Sequence, residues 1–265
     1  MWQTVRAASP TVRITTVTTV VSALLAWYAR EGRDLPWRHT RDPYAVLVSE
    51  VMLQQTQVAR VIERWERWLV RWPTAAALAA ATPAEVLGDW VGLGYNRRAL
   101  RLREACAFVA ANGWPEDLTA LPGVGAYTAA AVRAFAFDEP VVPVDTNVAR
   151  VFARTRETMS GPPELGHALM DLGATTCTAR RPRCDRCPLR VECPSAGRVA
   201  EPPRRTRGAQ RFEDTDRWAR GRVIAALTAG EALPDLEPAR RERVLAGLAR
   251  DGLVVREGGL VRLPA

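Results

Sequence analysis

Three groups of residues in this chain are of types, and at spacings, that could do chemistry. The first is Cys177, Cys184, Cys187 and Cys193, spaced C-x6-C-x2-C-x5-C. Four thiols this close together, in a chain without a secretion signal, argue for a bound metal and against disulfides. Zinc would more usually show two C-x2-C pairs about a dozen or more residues apart. The second group is a pair of carboxylates. Glu50 lies among Val48, Val51, Met52 and Leu53, where it reads as a buried acid more readily than as a solvated helix charge. Asp145, in Pro-Val-Asp145-Thr-Asn147, heads another apolar stretch, where it is either a helix N-cap or a catalytic group. Asn147 carries the same two readings. The third group is Leu121-Pro-Gly-Val-Gly-Ala, a tight loop in which Gly123 and Gly125 are expected to take positive φ before an alanine-rich helix. Free N–H groups at such a helix start, with no side chain on either glycine, make a seat for phosphate. The plain alternative is an ordinary turn between helices.

These groups need a scaffold, and the pattern around them is helical. Apolar residues recur at three and four spacing in Val51 to Val70, Ala75 to Ala80, Pro83 to Val91 and Arg98 to Ala111, separated by Pro or Gly turns. Strand signals are nearly absent, so an all-α fold is expected. Its two helical lobes would flank a cleft, one a central bundle, the other assembled from the N-terminal helix and the Cys-rich end. Residues 1–15 lack periodicity and are expected to be a flexible extension. A secretory signal is rejected because Val20 to Ala29 runs straight into Arg30-Glu-Gly-Arg-Asp with no cleavage site. Residues 16–193 form the main domain and 194–210 a basic linker. Residues 211–265 form a separate small unit: helices over Thr215–Ala229 and Glu237–Arg250, then a two-strand hairpin turning at Gly258-Gly259. Helix, helix and hairpin together resemble a winged helix.

Composition points to a polyanionic partner. The chain has 265 residues, a net charge of +8 and an isoelectric point near 10.0. No apolar run approaches the ~20 residues of a spanning helix, so no membrane partner is expected. The chain has no lysine, and all 37 basic positions are arginine. Five of them, Arg180, Arg181, Arg183, Arg186 and Arg190, lie among the clustered cysteines. Cys106 sits in a helical stretch and reads as a small buried apolar residue.

The hairpin, Tyr127 and Val144-Asp-x-Asn-Val-x-Arg-Val together resemble the helix-hairpin-helix superfamily of DNA glycosylases, the endonuclease III group, from about Thr16 to Cys193. Leu35-Pro-Trp-Arg38 and Ser49-Glu50-Val-Met-Leu-Gln-Gln55-Thr-Gln57 resemble its adenine-specific branch, the A/G-mismatch adenine DNA glycosylases. The resemblance implies a base-excision-repair enzyme acting on double-stranded DNA with a mismatch or lesion. It also implies a [4Fe-4S] cluster on the cysteines of 177–193 and a monovalent cation at the hairpin. A monomer in the bacterial cytoplasm, associated with the nucleoid, is expected. In the family the residue matching Glu50 protonates adenine, and the one matching Asp145 supports the sugar as positive charge develops. Adenine leaves poorly until protonated, so an acid holding its proton in a dry pocket must face the flipped base. The oxocarbenium-like sugar needs a second, ionised carboxylate. Asn147 matches a residue that orients the site and its water. Arg38 matches a pocket residue, and Gln55, from the helix after Glu50, and Tyr95 match residues that wedge into the duplex, with arginines beside Tyr95 taking phosphates. Asp171 matches an acidic residue near the adenine.

Tyr127 stands where bifunctional relatives carry the lysine that attacks the sugar and nicks the strand through a Schiff base. With no lysine anywhere, a monofunctional enzyme is expected. Three departures stand out. Asn96 replaces a second aromatic after Tyr95, the segment between Asp145 and Cys177 is shorter than usual, and the C-terminal unit differs from the domain that reads 8-oxoguanine in long relatives. Two alternatives remain: a thymine or uracil mismatch glycosylase of the same superfamily, which usually lacks Gln-Gln-Thr after the glutamate, and a catalytically silent DNA-damage-binding protein.

Overall fold

The computed structural model describes residues 14–199 and 211–265. Most of the expected N-terminal extension and of the basic linker therefore lies outside the described residues, although helix already begins at Ile14. The helices are α1 (Ile14–Glu31), α2 (Pro43–Leu53), α3 (Val58–Arg71), α4 (Ala75–Ala80), α5 (Pro83–Trp90) and α6 (Arg97–Asn112). They continue as α7 (Ala126–Ala136), α8 (Thr146–Thr155), α9 (Pro163–Asp171), α10 (Asp216–Ala229) and α11 (Pro238–Arg250). The one sheet among the described residues pairs β1 (Val255–Glu257) with β2 (Leu260–Arg262), antiparallel, through positive-φ Gly258 and Gly259. The described chain divides into two compact units.

The first, here the cluster unit, joins the chain through Arg33 to residues 139–199. Its core is Val20, Leu24 and Trp27 from α1, Val148 and Val151 from α8, and Leu165, Leu169 and Leu172 from α9 and its extension, closed by Leu189 from the cysteine loop. After Asp171 the helix widens into a π-helical turn, Leu172–Thr176, whose last bond runs from Cys177 N to Leu172 O at 2.6 Å. This turn delivers the first cysteine. A Cβ on Gly173 would stand 2.6 Å from the Asn147 Cβ, so only glycine lets the π turn lie against the start of α8.

The second, the hairpin unit, is built around α2. Asp42 caps it by accepting from Tyr44 N and Ala45 N at 3.1 and 3.3 Å, and Pro43 fixes its first turn. Every residue from Tyr44 to Met52 is buried, and α2 packs on α3, α6 and α7. Two buried bonds hold it to α3 and the residue after: Trp65 Nε1 donates to Ala45 O at 2.9 Å and Tyr44 Oη to Trp72 O at 2.8 Å. Trp68 is buried between Trp72 and Trp90, meeting both edge-on.

Two expectations about elements need correction. The continuous helix expected over Val51 to Val70 is interrupted at Gln54–Gln57, where Gln55 takes φ +57°. The C-terminal helices and hairpin form as expected, but not as a separate unit. They belong to the hairpin unit, where α10 packs on α5 at Gly88, and Asp251 pairs with both Arg97 and Arg220. Burial of Ala219, Val223, Ile224 and Ala226 supplies the adhesion.

Candidate active site and cluster loop

The residues singled out in the sequence fall into the two units. The hairpin unit holds Arg38, Glu50, Gln55, Tyr95, Gly123, Gly125 and Tyr127, and the cluster unit holds Asp145, Asn147, Asp171 and the four cysteines.

In the hairpin unit, Glu50 is only 6% exposed, in the last turns of a helix buried on all sides. Burying a carboxyl there is costly unless it is used or satisfied. The chain then turns at Gln54, whose Nε2 donates to the Thr128 hydroxyl at 3.3 Å and so ties the end of α2 to α7 beside Tyr127. The next residue, Gln55, is exposed and sits in the left-handed region. Tyr95 is 45% exposed and also left-handed, at φ +49°. Non-glycine residues held there store strain, and such strain gathers at functional sites. Both wedge candidates are thus aimed by the backbone and not by a helix face, contrary to the expectation for Gln55.

One anchor holds both turns, and the sequence reading passed over it. Arg98 Nη1 donates to Val51 O and Gln54 O, each at 2.6 Å, and its Nη2 donates to Leu93 O at 3.2 Å and Gly94 O at 2.9 Å. These carbonyls lie at the open end of α2 and in the loop before Tyr95, where no helix N–H reaches them. Burial lowers the Arg98 pKa to about 10. Arg98 is therefore not one of the phosphate-taking arginines expected beside Tyr95. Asn96 is buried at the start of α6 and offers no second stacking surface.

The hairpin follows the expected path with one change. Gly123 takes φ +78°, and a Cβ on it would meet Arg101 Cβ at 2.9 Å. Gly125 takes φ −92°, ordinary extended backbone, and is the N-cap of α7, which has no side-chain cap. Open space surrounds the position of its missing Cβ, so this glycine keeps the helix start accessible from outside. Tyr127 lies half-buried in the first turn of α7, and Arg38 half-buried at the end of the short turn Pro36–Arg38, next to the buried Trp37.

In the cluster unit, Asp145 is the N-cap of α8. Its Oδ1 accepts from Asn147 N at 2.9 Å and Val148 N at 2.7 Å, and its Oδ2 accepts from Asn147 Nδ2 at 2.9 Å. Cap and candidate catalytic carboxylate are thus one residue. From Asn147 Oδ1 the network continues to Arg150 Nη2 at 2.7 Å, and Arg150 donates onward to Gly173 O at 2.6 Å and Cys177 O at 2.8 Å. Asp171 is fully buried and bound to Arg33, which donates its backbone N to Oδ2 and its Nε to Oδ1, both at 2.8 Å. The carboxylate that the resemblance set near the adenine here anchors the chain after α1.

All four clustered cysteines line one cavity with Arg154. Arg154 Nη1 donates to Cys177 Sγ at 3.3 Å and to Thr178 O at 2.8 Å, a cation placed to offset thiolate charge. Burial pushes the Cys187 thiol up to about 11; a backbone hydrogen bond from Leu189 opposes the rise and the three neighbouring thiols add to it. Among the described residues no three metal-binding side chains converge on a point that would suit a single ion. The cavity shared by the four thiols suits an iron-sulfur cluster.

Comparison with known proteins agrees with this geometry. Residues 48–172 match the HhH-GPD superfamily of base excision DNA repair proteins, and residues 177–193 match the iron-sulfur binding domain of endonuclease III. An adenine DNA glycosylase of Mycobacterium tuberculosis is 45% identical, over 88% of this chain and 89% of the relative. The chain belongs to the adenine DNA glycosylase family. The Mycolicibacterium smegmatis member is likewise 45% identical, covering 87% of this chain and 91% of that one, while the human member is 40% identical over 70% of this chain and 41% of its own length. Among solved structures, a thermostable thymine-DNA glycosylase superposes with a TM-score of 0.64 at 28% identity, covering 70% of this chain and 98% of that one. This adenine DNA glycosylase family member thus shares a fold with the thymine enzyme but is closer in sequence to the adenine branch. Its four cysteines hold a [4Fe-4S] cluster, which cross-links residues 177–193.

Proposed function

We propose that this protein is a monomer that removes adenine mispaired with guanine or 8-oxoguanine in double-stranded DNA. It would hydrolyse the N-glycosidic bond without cleaving the strand through a lysine imine. The observation that carries this reading is the pair of carboxyls in opposite surroundings: Glu50 inside an apolar helix, and Asp145 on the N–H groups of a helix start. In this mechanism Gln55 and Tyr95 fill the gap left by the everted adenine, and Glu50, with Arg38 in the same pocket, donates a proton to its ring. Asp145 stabilises the oxocarbenium-like sugar while Asn147 holds its second oxygen and orients the attacking water. The N-terminus of α7 at Gly125 takes a phosphate without reading a base. Tyr127 occupies the position from which an amine would attack, and absence of lysine supports release of the base alone.

Labelled duplexes containing A:G, A:8-oxoG and T:G pairs, incubated with the protein and then treated with alkali, test this directly. The reading requires cleavage of the adenine strand only after alkali, and no borohydride-trapped complex. Release of thymine in place of adenine would overturn the substrate. Nicking without alkali would overturn the monofunctional mechanism.

A further inference from the structure

The C-terminal helices bring a cation to the two wedge candidates. A cavity of about 630 Å³ is lined by Gln55 and Tyr95, by Arg97 and Arg101 from α6, and by Arg217 and Asp251 from the C-terminal segment. All belong to the hairpin unit. Arg217 Nη1 donates to Tyr95 Oη at 2.9 Å, and its guanidinium carbon lies 5.3 Å from the Tyr95 ring centre and 4.9 Å from that of Phe212. Arg97 and Arg220 are tied to Asp251. Arg217, by contrast, is exposed and makes no ion pair among the described residues. Two aromatic rings thus hold a guanidinium that, among the described residues, meets no carboxylate and donates to Tyr95 alone.

We propose that this cavity seats the nucleotide left unpaired opposite the everted adenine, and that Arg217 makes it selective for guanine. The inference rests on the wedge roles given to Gln55 and Tyr95 in the proposed function. A wedge that replaces the everted base meets the base that has lost its partner, so groups around the wedge are the ones able to read it. Guanine offers two adjacent acceptors, O6 and N7, which match the parallel donors of a guanidinium. Cytosine offers an amino donor instead. 8-Oxoguanine carries hydrogen on N7, which turns one of the two acceptors into a donor facing a donor. Arg217 therefore favours guanine over 8-oxoguanine, and the C-terminal segment acts as a base reader in its own right.

Binding without chemistry tests this. The full-length protein is titrated by fluorescence anisotropy with duplexes holding a tetrahydrofuran abasic analogue opposite guanine, 7-deazaguanine, 8-oxoguanine or cytosine. The native protein should bind the guanine duplex about tenfold tighter than the other three. Arg217→Ala should bring all four affinities together. Arg217→Lys should keep the salt dependence and lose the ranking, because an ammonium lacks the planar fork. Equal weakening of all four duplexes by Arg217→Ala would make it a phosphate contact only and overturn the inference. No ranking in the native protein, or no effect of Arg217→Ala, would overturn it as well. Adenine release is scored separately. A protein that ranks opposite bases yet releases no adenine would overturn the proposed activity and leave the reader standing, whereas release without ranking would do the reverse.

Discussion

Each unit carries one of the two proposed catalytic carboxyls, and the two are treated in opposite ways. In the hairpin unit Glu50 lies within a helix whose residues from Tyr44 to Met52 are all buried. In the cluster unit Asp145 stands at a helix N-terminus, where three N–H groups point at it. Dry surroundings suit a group that must carry a proton, and backbone donors suit one that must stay charged. In the proposed mechanism the acid and the counter-charge are thus separated by local structure and not by residue type. The supports differ too. The Glu50 helix end is held by the guanidinium of Arg98, while the Asp145 helix start is held through Arg150 by the backbone of the first cluster cysteine.

The hardest test of this division of labour is to remove each charge without changing shape. Glu50→Gln and Asp145→Asn should each slow single-turnover adenine release at least about a thousandfold while leaving mismatch affinity nearly intact. A variant close to the native rate would remove that residue from the chemistry. Removing the metal should act on one unit alone. Cys187→Ser should lose iron and strip hydrogen-exchange protection from residues 139–193 while residues 43–136 keep theirs. Equal loss in both would show that the cluster supports the whole chain. The reciprocal substitution is Arg98→Ala, which removes the donor shared by carbonyls of the α2 end and the Tyr95 loop. It should cost about 3 kcal/mol in urea unfolding, with iron content unchanged. The mildest change is Gly173→Ala, whose added methyl meets Asn147. A loss of ~1 to 3 kcal/mol is expected. Its rate for adenine release should fall more than its affinity does, because the displaced Asn147 holds Asp145.

Much of this was legible in the chain because the signals are local. The cysteine spacing, the Asp145 cap, the Gly-Val-Gly loop and the Gly258-Gly259 turn each depend on residues within a few positions of one another. So do the C-terminal helices, whose expected bounds differ from the observed ones by one residue at the start. Hydrophobic spacing also set Glu50 among apolar neighbours. It missed the break at Gln54–Gln57, because helical periodicity runs on through a turn when the apolar residues on either side happen to stay in phase.

The sequence by itself thus determined the helical class, the metal loop, the apolar neighbours of Glu50 and the cap position of Asp145, through short-range patterns that local sterics and burial enforce. Tertiary structure alone decided which distant groups meet. Arg98 reaches carbonyls on two turns, Arg33 pairs with Asp171 across 138 positions, and Arg217 arrives at Tyr95 from 122 positions away. An arginine looks the same in a chain whether it will serve phosphate, carbonyl or base. Its partner is set by how the helices pack, and that packing depends on side chains far from the arginine itself.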